Sequence, residues 1–300
     1  MATKRAASGN DGPRKKKFRM VSGFIDPATS GIYATCSRRK EKRAAEELKL
    51  YFEEKIEEIY GDEIKKLAES NEEGIEGEGE AEPQEELSIE EQIQQEVSEL
   101  KKKANKNNLS KEERKKELVQ FIDLDCECVI FCKTRKPVNP EELVKKIMDE
   151  LVDPANTVKR TRYVQKLTPI MSSCSASLDQ LNKLAEHVLG PRFHTEEAKE
   201  QGVKFAIEVT RRNFNTIPKM DIINTLVSYI GQNQTYKHKV DLKDYDKLVL
   251  VECFKNNIGI SVVDRDYSKI YKKYNVQQIY ESKFKDEDIK KSAEQPKDDN

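Results

Sequence analysis

Residues 119–152 read VQFIDLDCECVIFCKTRKPVNPEELVKKIMDELV, and the succession of periodicities along them decides the fold. Val119 to Leu124 and Cys128 to Phe131 are short apolar runs rich in β-branched and aromatic residues, which predicts two strands. Asn139-Pro140-Glu141-Glu142 then opens a helix. Asn139 supplies a capping side chain, and Pro140 takes the first helical position, where its missing N–H is not needed. Leu143, Ile147 and Leu151 recur at steps of four and line the buried face. Toward the N-terminus, Gly31 to Cys36 is strand-like. Ala44 to Tyr60 carries Ala45, Leu48, Phe52, Ile56 and Ile59 on one helical face. Toward the C-terminus, Tyr163 to Ser172 forms the next predicted strand. The order strand, helix, strand, strand, helix, strand is that of a ferredoxin-like split βαβ unit.

A second α+β unit follows. Leu178 to Leu189 is helical, with Leu178, Leu181, Leu184, Ala185 and Val188 as its stripe and Gly190-Pro191 as its stop. Lys204 to Thr210 alternates as a strand, with Phe205, Ile207 and Val209 on one face. Met220 to Ile230 is a helix closed by Gly231. Leu248 to Cys253 and Ile258 to Val263 are strands joined by Lys255-Asn256-Asn257, whose asparagines suit the positive φ of a tight turn.

Charge is strongly segregated behind a net of −1. Residues 62–99 carry 15 acidic and 2 basic side chains, residues 1–20 carry 7 basic and 1 acidic, and residues 154–285 carry 22 basic and 14 acidic. The acidic stretch 61–117 cannot bury a core and reads as a disordered insertion, with a transient helix at 89–100 capped by Ser88. Lys4-Arg5 and Arg14-Lys15-Lys16-Lys17 form a two-part basic arm of the nuclear-localisation kind. The organisation expected is therefore a disordered arm at 1–22, a first domain at 23–172 interrupted at 61–117, a second at 173–285, and a disordered tail at 286–300. No apolar run approaches the length of a membrane span. The N-terminus has no signal-peptide core, so the six cysteines are expected reduced.

The chemistry-bearing residues favour binding over catalysis. The sequence has neither GxGxxG nor GxxxxGK[ST]. His187, His194 and His238 have no metal-pair spacing. Cys126, Cys128 and Cys132 lack the CxxC spacing and the fourth ligand that zinc requires, and read as small hydrophobes on one strand face. Cys36, Cys174 and Cys253 read as core. No catalytic residue, metal or cofactor is expected. The basic clusters carry more. Arg160, Arg162 and Lys166 lie in KRTRYVQKL at 159–167, and Arg211, Arg212 and Asn213 close the strand from Lys204. Lys237 and Lys239 follow on a loop, and Lys272 and Lys273 interleave with Tyr267, Tyr271 and Tyr274. Arginine grips phosphate in bidentate fashion, asparagine reads a base edge or ribose hydroxyl, and tyrosine can stack on a base. The competing reading is an ordinary charged surface with tyrosine as core filler. Several clusters in one basic domain tilt the balance to RNA.

The strings RTRYVQKLTPI at 160–170, FAIEVTRRNFNTI at 205–217, VDLKDYDKLVLVECFKNNIGISVV at 240–263 and KYNVQQIYESKF at 273–284 resemble the THUMP-domain tRNA acetylation adaptor family. SGFIDPATSGIYATCSRRKEKRAAEEL at 22–48 is similar to its fungal branch. The resemblance implies a ferredoxin-like domain followed by a THUMP domain. It also implies a non-enzymatic tRNA-binding adaptor for N4-acetylcytidine formation in the D-arm of serine and leucine tRNAs. A separate RNA cytidine acetyltransferase would be the partner, in the nucleus and nucleolus and in part the cytoplasm. The alternatives are an RNA-binding scaffold in ribosome assembly and a stand-alone RNA-modifying enzyme.

Overall fold

A computed structural model of the chain describes residues 20–73, 118–231 and 236–283. The basic arm up to residue 19, the acidic stretch from residue 74, its predicted helix at 89–100 and the tail 286–300 lie outside the described residues.

The first sheet is built from β1 (Val21–Ser22), β2 (Ser30–Cys36), β3 (Val119–Asp123), β4 (Val129–Thr134) and β5 (Val164–Ile170), in the order β1-β3-β4-β2-β5. Two helices, α1 (Glu41–Glu73) and α2 (Pro140–Val152), complete the ferredoxin-like order predicted from the sequence. The capping prediction holds: the Asn139 side chain accepts from Glu141 N at 3.0 Å and Glu142 N at 3.3 Å. Leu143, Ile147 and Leu151 are buried as expected. Helix α1 runs past Tyr60 to Glu73, into the stretch read as acidic insertion, because helical backbone needs no further core once it is nucleated by the buried stripe.

The predicted strand from Tyr163 to Ser172 is two strands. Met171 separates β5 from β6 (Ser172–Ser175), and with it the chain leaves one sheet and enters the next. The second sheet has the order β6-β10-β9-β7-β8, with β7 (Lys204–Arg212), β8 (Lys239–Val240), β9 (Lys247–Phe254) and β10 (Asn257–Asp264). Strand β7 runs parallel to β8 and β9. Helices α3 (Leu178–Phe193), α4 (Glu196–Gln201) and α5 (Lys219–Gly231) belong to this half. Helix α3 does not stop at Gly190-Pro191. It carries Pro191 inside its last turn, and Phe193 is fully buried against the rings of Phe205 and His238. That burial outweighs the one backbone bond a terminal proline forgoes.

Three apolar clusters result. One lies under α3 and α5 and takes Phe205, Val209, Val249, Val251 and Ile258 from the second sheet. A small one on the open face of the first sheet joins Tyr33, Phe131 and Phe254. The largest lies under α1 and α2, and it also holds Leu248, Leu250, Tyr267, Tyr271, Tyr274, Val276 and Ile279. The last five come from α6 (Asp266–Lys269), the link at Tyr271, a 3-10 turn (Lys272–Tyr274) and α7 (276–283), so the end of the described chain returns to complete the first core. Tyr271 Oη bonds Asp149 of α2, and residue 275 bridges to Lys166 of β5.

Candidate nucleic-acid interface

Strand alternation sorts the basic residues first. On β7 the buried Phe205 and Val209 face the helices, so Ala206, Glu208, Thr210 and Arg212 face the other way. On β9 the same reasoning puts Leu250, Glu252 and Phe254 on that face. On β5, Lys166 pairs with Thr35 and Thr168 with Tyr33, which puts Lys166 on the open face of the first sheet. The two faces meet in a charged seam.

Arg212 Nη1 donates to Glu252 Oε2 at 3.0 Å, and Lys273 Nζ to Glu208 Oε2 at 3.2 Å. The Lys166 ammonium lies 5.6 Å from the centre of the Tyr267 ring. Burial pushes the Glu252 carboxyl above its usual range, and it outweighs the opposing pull of Arg212 and Lys166. Burial likewise lowers the Lys166 ammonium, with Lys273 and Arg212 adding repulsion. The hydroxyls of Tyr33 and Tyr267 are buried without a hydrogen-bond partner in this neighbourhood. Among the predicted RNA residues, then, Arg212, Lys166 and Lys273 are engaged with protein carboxylates or rings.

Other predicted residues disperse. Arg160 bonds Glu54 at 2.9 Å on α1, which covers the helical side of the first sheet, the side away from Lys166. Lys237 and Lys239 are exposed beside the start of β7, where Lys204 pairs with Lys239. The seven residue steps from Lys204 to Arg211 separate them from the other end of the strand by about 23 Å. Lys272 is exposed on the 3-10 turn. Tyr267, Tyr271 and Tyr274, expected as base-stacking candidates, are buried in the largest core and are core filler.

The remaining three, Arg162, Arg211 and Asn213, lie on one connected surface, together with residues not singled out from the sequence. Around Tyr163, just before β5, stand Arg162 at 5.6 Å, Arg43 at 5.8 Å and Lys40 at 5.9 Å from the ring centre. Arg43 Nη1 donates to Tyr163 Oη at 3.2 Å, and this bond, with the three cations, lowers the phenol from its ordinary range. Lys40 and Arg43 also line a cavity of about 520 Å³ whose other wall is Asp123, Asp125, Cys126 and Glu127. Cys126 and Cys128 sit in the turn between β3 and β4, not inside a strand as expected. Cys128 has φ 64°, which breaks the extended run, while Cys132 is buried in β4. Cys36, Cys174 and Cys253 are buried as predicted. The Asn213 amide lies 4.0 Å from Cys126 Sγ and links this cavity to the loop after β7.

At the end of β7, Arg211 donates to Phe214 O at 2.7 Å and stays exposed. Next to it, Lys255 N donates to Arg212 O at 3.2 Å, and Lys255 Nζ to Leu124 O at 3.0 Å. Lys255, not the neighbouring asparagines, takes the positive φ of the turn between β9 and β10. Asn257 is a buried strand residue that donates to Ile25 O at 3.2 Å. The signal for the cations around Tyr163 was the run SRRKEKR at 37–43, which opens α1. The cations gathered at the Tyr163 ring offer positive charge to a polyanion beside a wall of carboxylates.

The THUMP domain family matches residues 175–263. The tRNA acetyltransferase TAN1 of Saccharomyces cerevisiae is 58% identical to this chain over 295 residues, 96% of this chain and 98% of the relative. This chain is a member of the THUMP-domain family that includes TAN1. An uncharacterized protein of Schizosaccharomyces pombe is 32% identical over 88% of this chain and 80% of its own length. The crystal structure of PH1313 from Pyrococcus horikoshii aligns at 16% identity with a TM-score of 0.38, over 78% of this chain and 54% of that one. Within this member of the TAN1 family, Arg211, Asn213 and Lys255 belong to the THUMP domain, while Lys40, Arg43 and Arg162 precede it. The cation surface therefore straddles the THUMP domain and the ferredoxin-like half.

Proposed function

We propose that this protein is a tRNA-binding adaptor that presents tRNA to a separate RNA cytidine acetyltransferase for N4-acetylcytidine formation. The observation that carries the reading is the 58% identity with a relative named for tRNA acetylation, over 98% of that relative's length. The surface of Lys40, Arg43, Arg162, Arg211, Asn213 and Lys255 supports a polyanionic ligand. In this reading the substrates are serine and leucine tRNAs, the acetyl-CoA and ATP chemistry belongs to the partner, and the basic arm directs the protein to the nucleus. The adaptor accelerates the reaction by raising the local concentration of the target cytidine at the partner's site.

The yeast relative's designation as an acetyltransferase favours a second reading, in which the chain acetylates RNA itself. One reconstitution separates the two. A serine tRNA, acetyl-CoA and ATP are incubated with this protein, with the partner enzyme, and with both. Product only in the third mixture supports the adaptor, product with this protein alone makes it the enzyme, and equal product with and without it removes it from the reaction.

A further inference from the structure

We propose that Phe24 is a stacking platform for an unpaired nucleobase, at the edge of the cation surface described above. The proposal rests on the tRNA-binding reading and names one contact within it.

Phe24 is 77% exposed, an unusual setting for a ring whose burial is favourable. The backbone around it is nevertheless held on both sides. Before it, β1 pairs with β3 through Val21 and Ile122, and Gly23 N donates to Asp123 O at 3.4 Å. After it, Ile25 is buried and its carbonyl accepts from Asn257 Nδ2. Further on, Ser173 Oγ donates to Asp26 O at 3.1 Å, and Ala28 N donates to Ser173 O at 2.7 Å. A pinned segment thus presents an aromatic face to solvent, and little further backbone ordering is lost when a ligand uses it.

Its surroundings specify the ligand. The Lys255 ammonium lies 5.4 Å from the centre of the Phe24 ring and 5.3 Å from that of Phe254. Lys255 is joined through the backbone to Arg212, the last residue of β7, and Asn213 follows on the next loop. An exposed ring beside an ammonium offers a π-face for a base and a charge for its phosphate. An apolar protein partner would leave the Lys255 charge to be desolvated, so the nucleic acid is the better match.

The chain has no tryptophan, so Phe24→Trp installs a single fluorescent reporter at the site. A serine tRNA transcript is titrated into that variant, while labelled transcript reports the affinities of the native chain and of Phe24→Leu, which keeps the apolar character and loses the π-face. The expected result is quenching of the tryptophan on binding and a dissociation constant for Phe24→Leu raised roughly tenfold or more. If transcript binds the native chain, but the tryptophan is not quenched or Phe24→Leu binds as tightly as native, the stacking proposal is overturned and the tRNA reading stands. If the native chain does not bind the transcript, the tRNA reading falls and the stacking proposal with it.

Discussion

The Arg212 guanidinium donates to Glu252 Oε2 over 3.0 Å between adjacent parallel strands, and the carboxylate it holds is 5% exposed. A residue that reads in sequence as an RNA contact is thus a structural counter-ion. Its neighbour Arg211, one step along the strand, points to the opposite face and to solvent. Arg212→Ala leaves Glu252 buried without its guanidinium and is expected to cost about 2–3 kcal/mol, toward the lower end for breaking a buried pair because Arg212 keeps some exposure. Arg211→Ala is expected to cost less than about 1 kcal/mol. Urea midpoints of the two variants check the contrast, and equal midpoints would refute it.

Binding is expected to separate the same residues differently. Arg43→Ala, Arg162→Ala and Arg211→Ala each remove one cation from the connected surface. Each is predicted to flatten the plot of log affinity for tRNA against log salt by about one unit of slope. Lys239→Ala, on β8 beside the far end of β7, is predicted to leave that slope nearly unchanged. A salt titration in which Lys239→Ala has the larger effect would move the interface to the other end of the sheet.

His238 sets a pH dependence of stability. Val203 N–H donates to its Nδ1 at 3.0 Å, and its Nε2 faces Phe193 O at 3.1 Å, so the ring is held as the neutral Nε2–H tautomer. Burial lowers its pKa, helped by the nearby His194 and Lys247. The folded chain then refuses a proton that the unfolded chain accepts near 6.5. Stability is therefore full above that value and falls as pH drops from there toward the folded pKa. Urea midpoints at pH 7.5 and 5.5 are expected to fall more for the native chain than for His238→Gln. A variant with the same loss would assign the pH effect elsewhere.

Among the described residues, Gly202 is the glycine with a positive φ. It follows α4 with φ 69° and ψ 167°, and a Cβ there would sit 2.3 Å from Lys237 O. Gly202→Ala is expected to destabilise by about 2 kcal/mol or more, since that backbone region is nearly exclusive to glycine and the obstacle is a carbonyl. A thermal midpoint within a degree of native would show that the loop relaxes freely.

What sequence periodicity revealed were the features set by neighbours along the chain. The Asn139 cap, the Leu143–Ile147–Leu151 stripe and the ferredoxin-like order depend on spacings of three or four residues and on local turn chemistry. Two of the misreadings have long-range causes and one lies in the backbone of a turn. Pro191 stays helical because Phe193 packs on Phe205. Cys128 leaves its strand because the β3–β4 turn needs a positive φ. Arg212 faces inward because Glu252 arrives from forty residues away. The candidate interface suffered the same way: its charge was visible in SRRKEKR and TRRN, but no spacing shows that Asn213 meets Cys126 or that Lys255 lies beside Phe24.

The return of Tyr267, Tyr274, Val276 and Ile279 to the core under α1 and α2 bears on how the chain is made. During synthesis the ferredoxin-like half emerges first, yet its apolar interior stays open until nearly the whole THUMP half has been translated behind it. The nascent protein therefore carries an unfinished groove until those residues arrive. A polypeptide ending just before Tyr267 would contain every strand of the second sheet and lack five side chains of the first core.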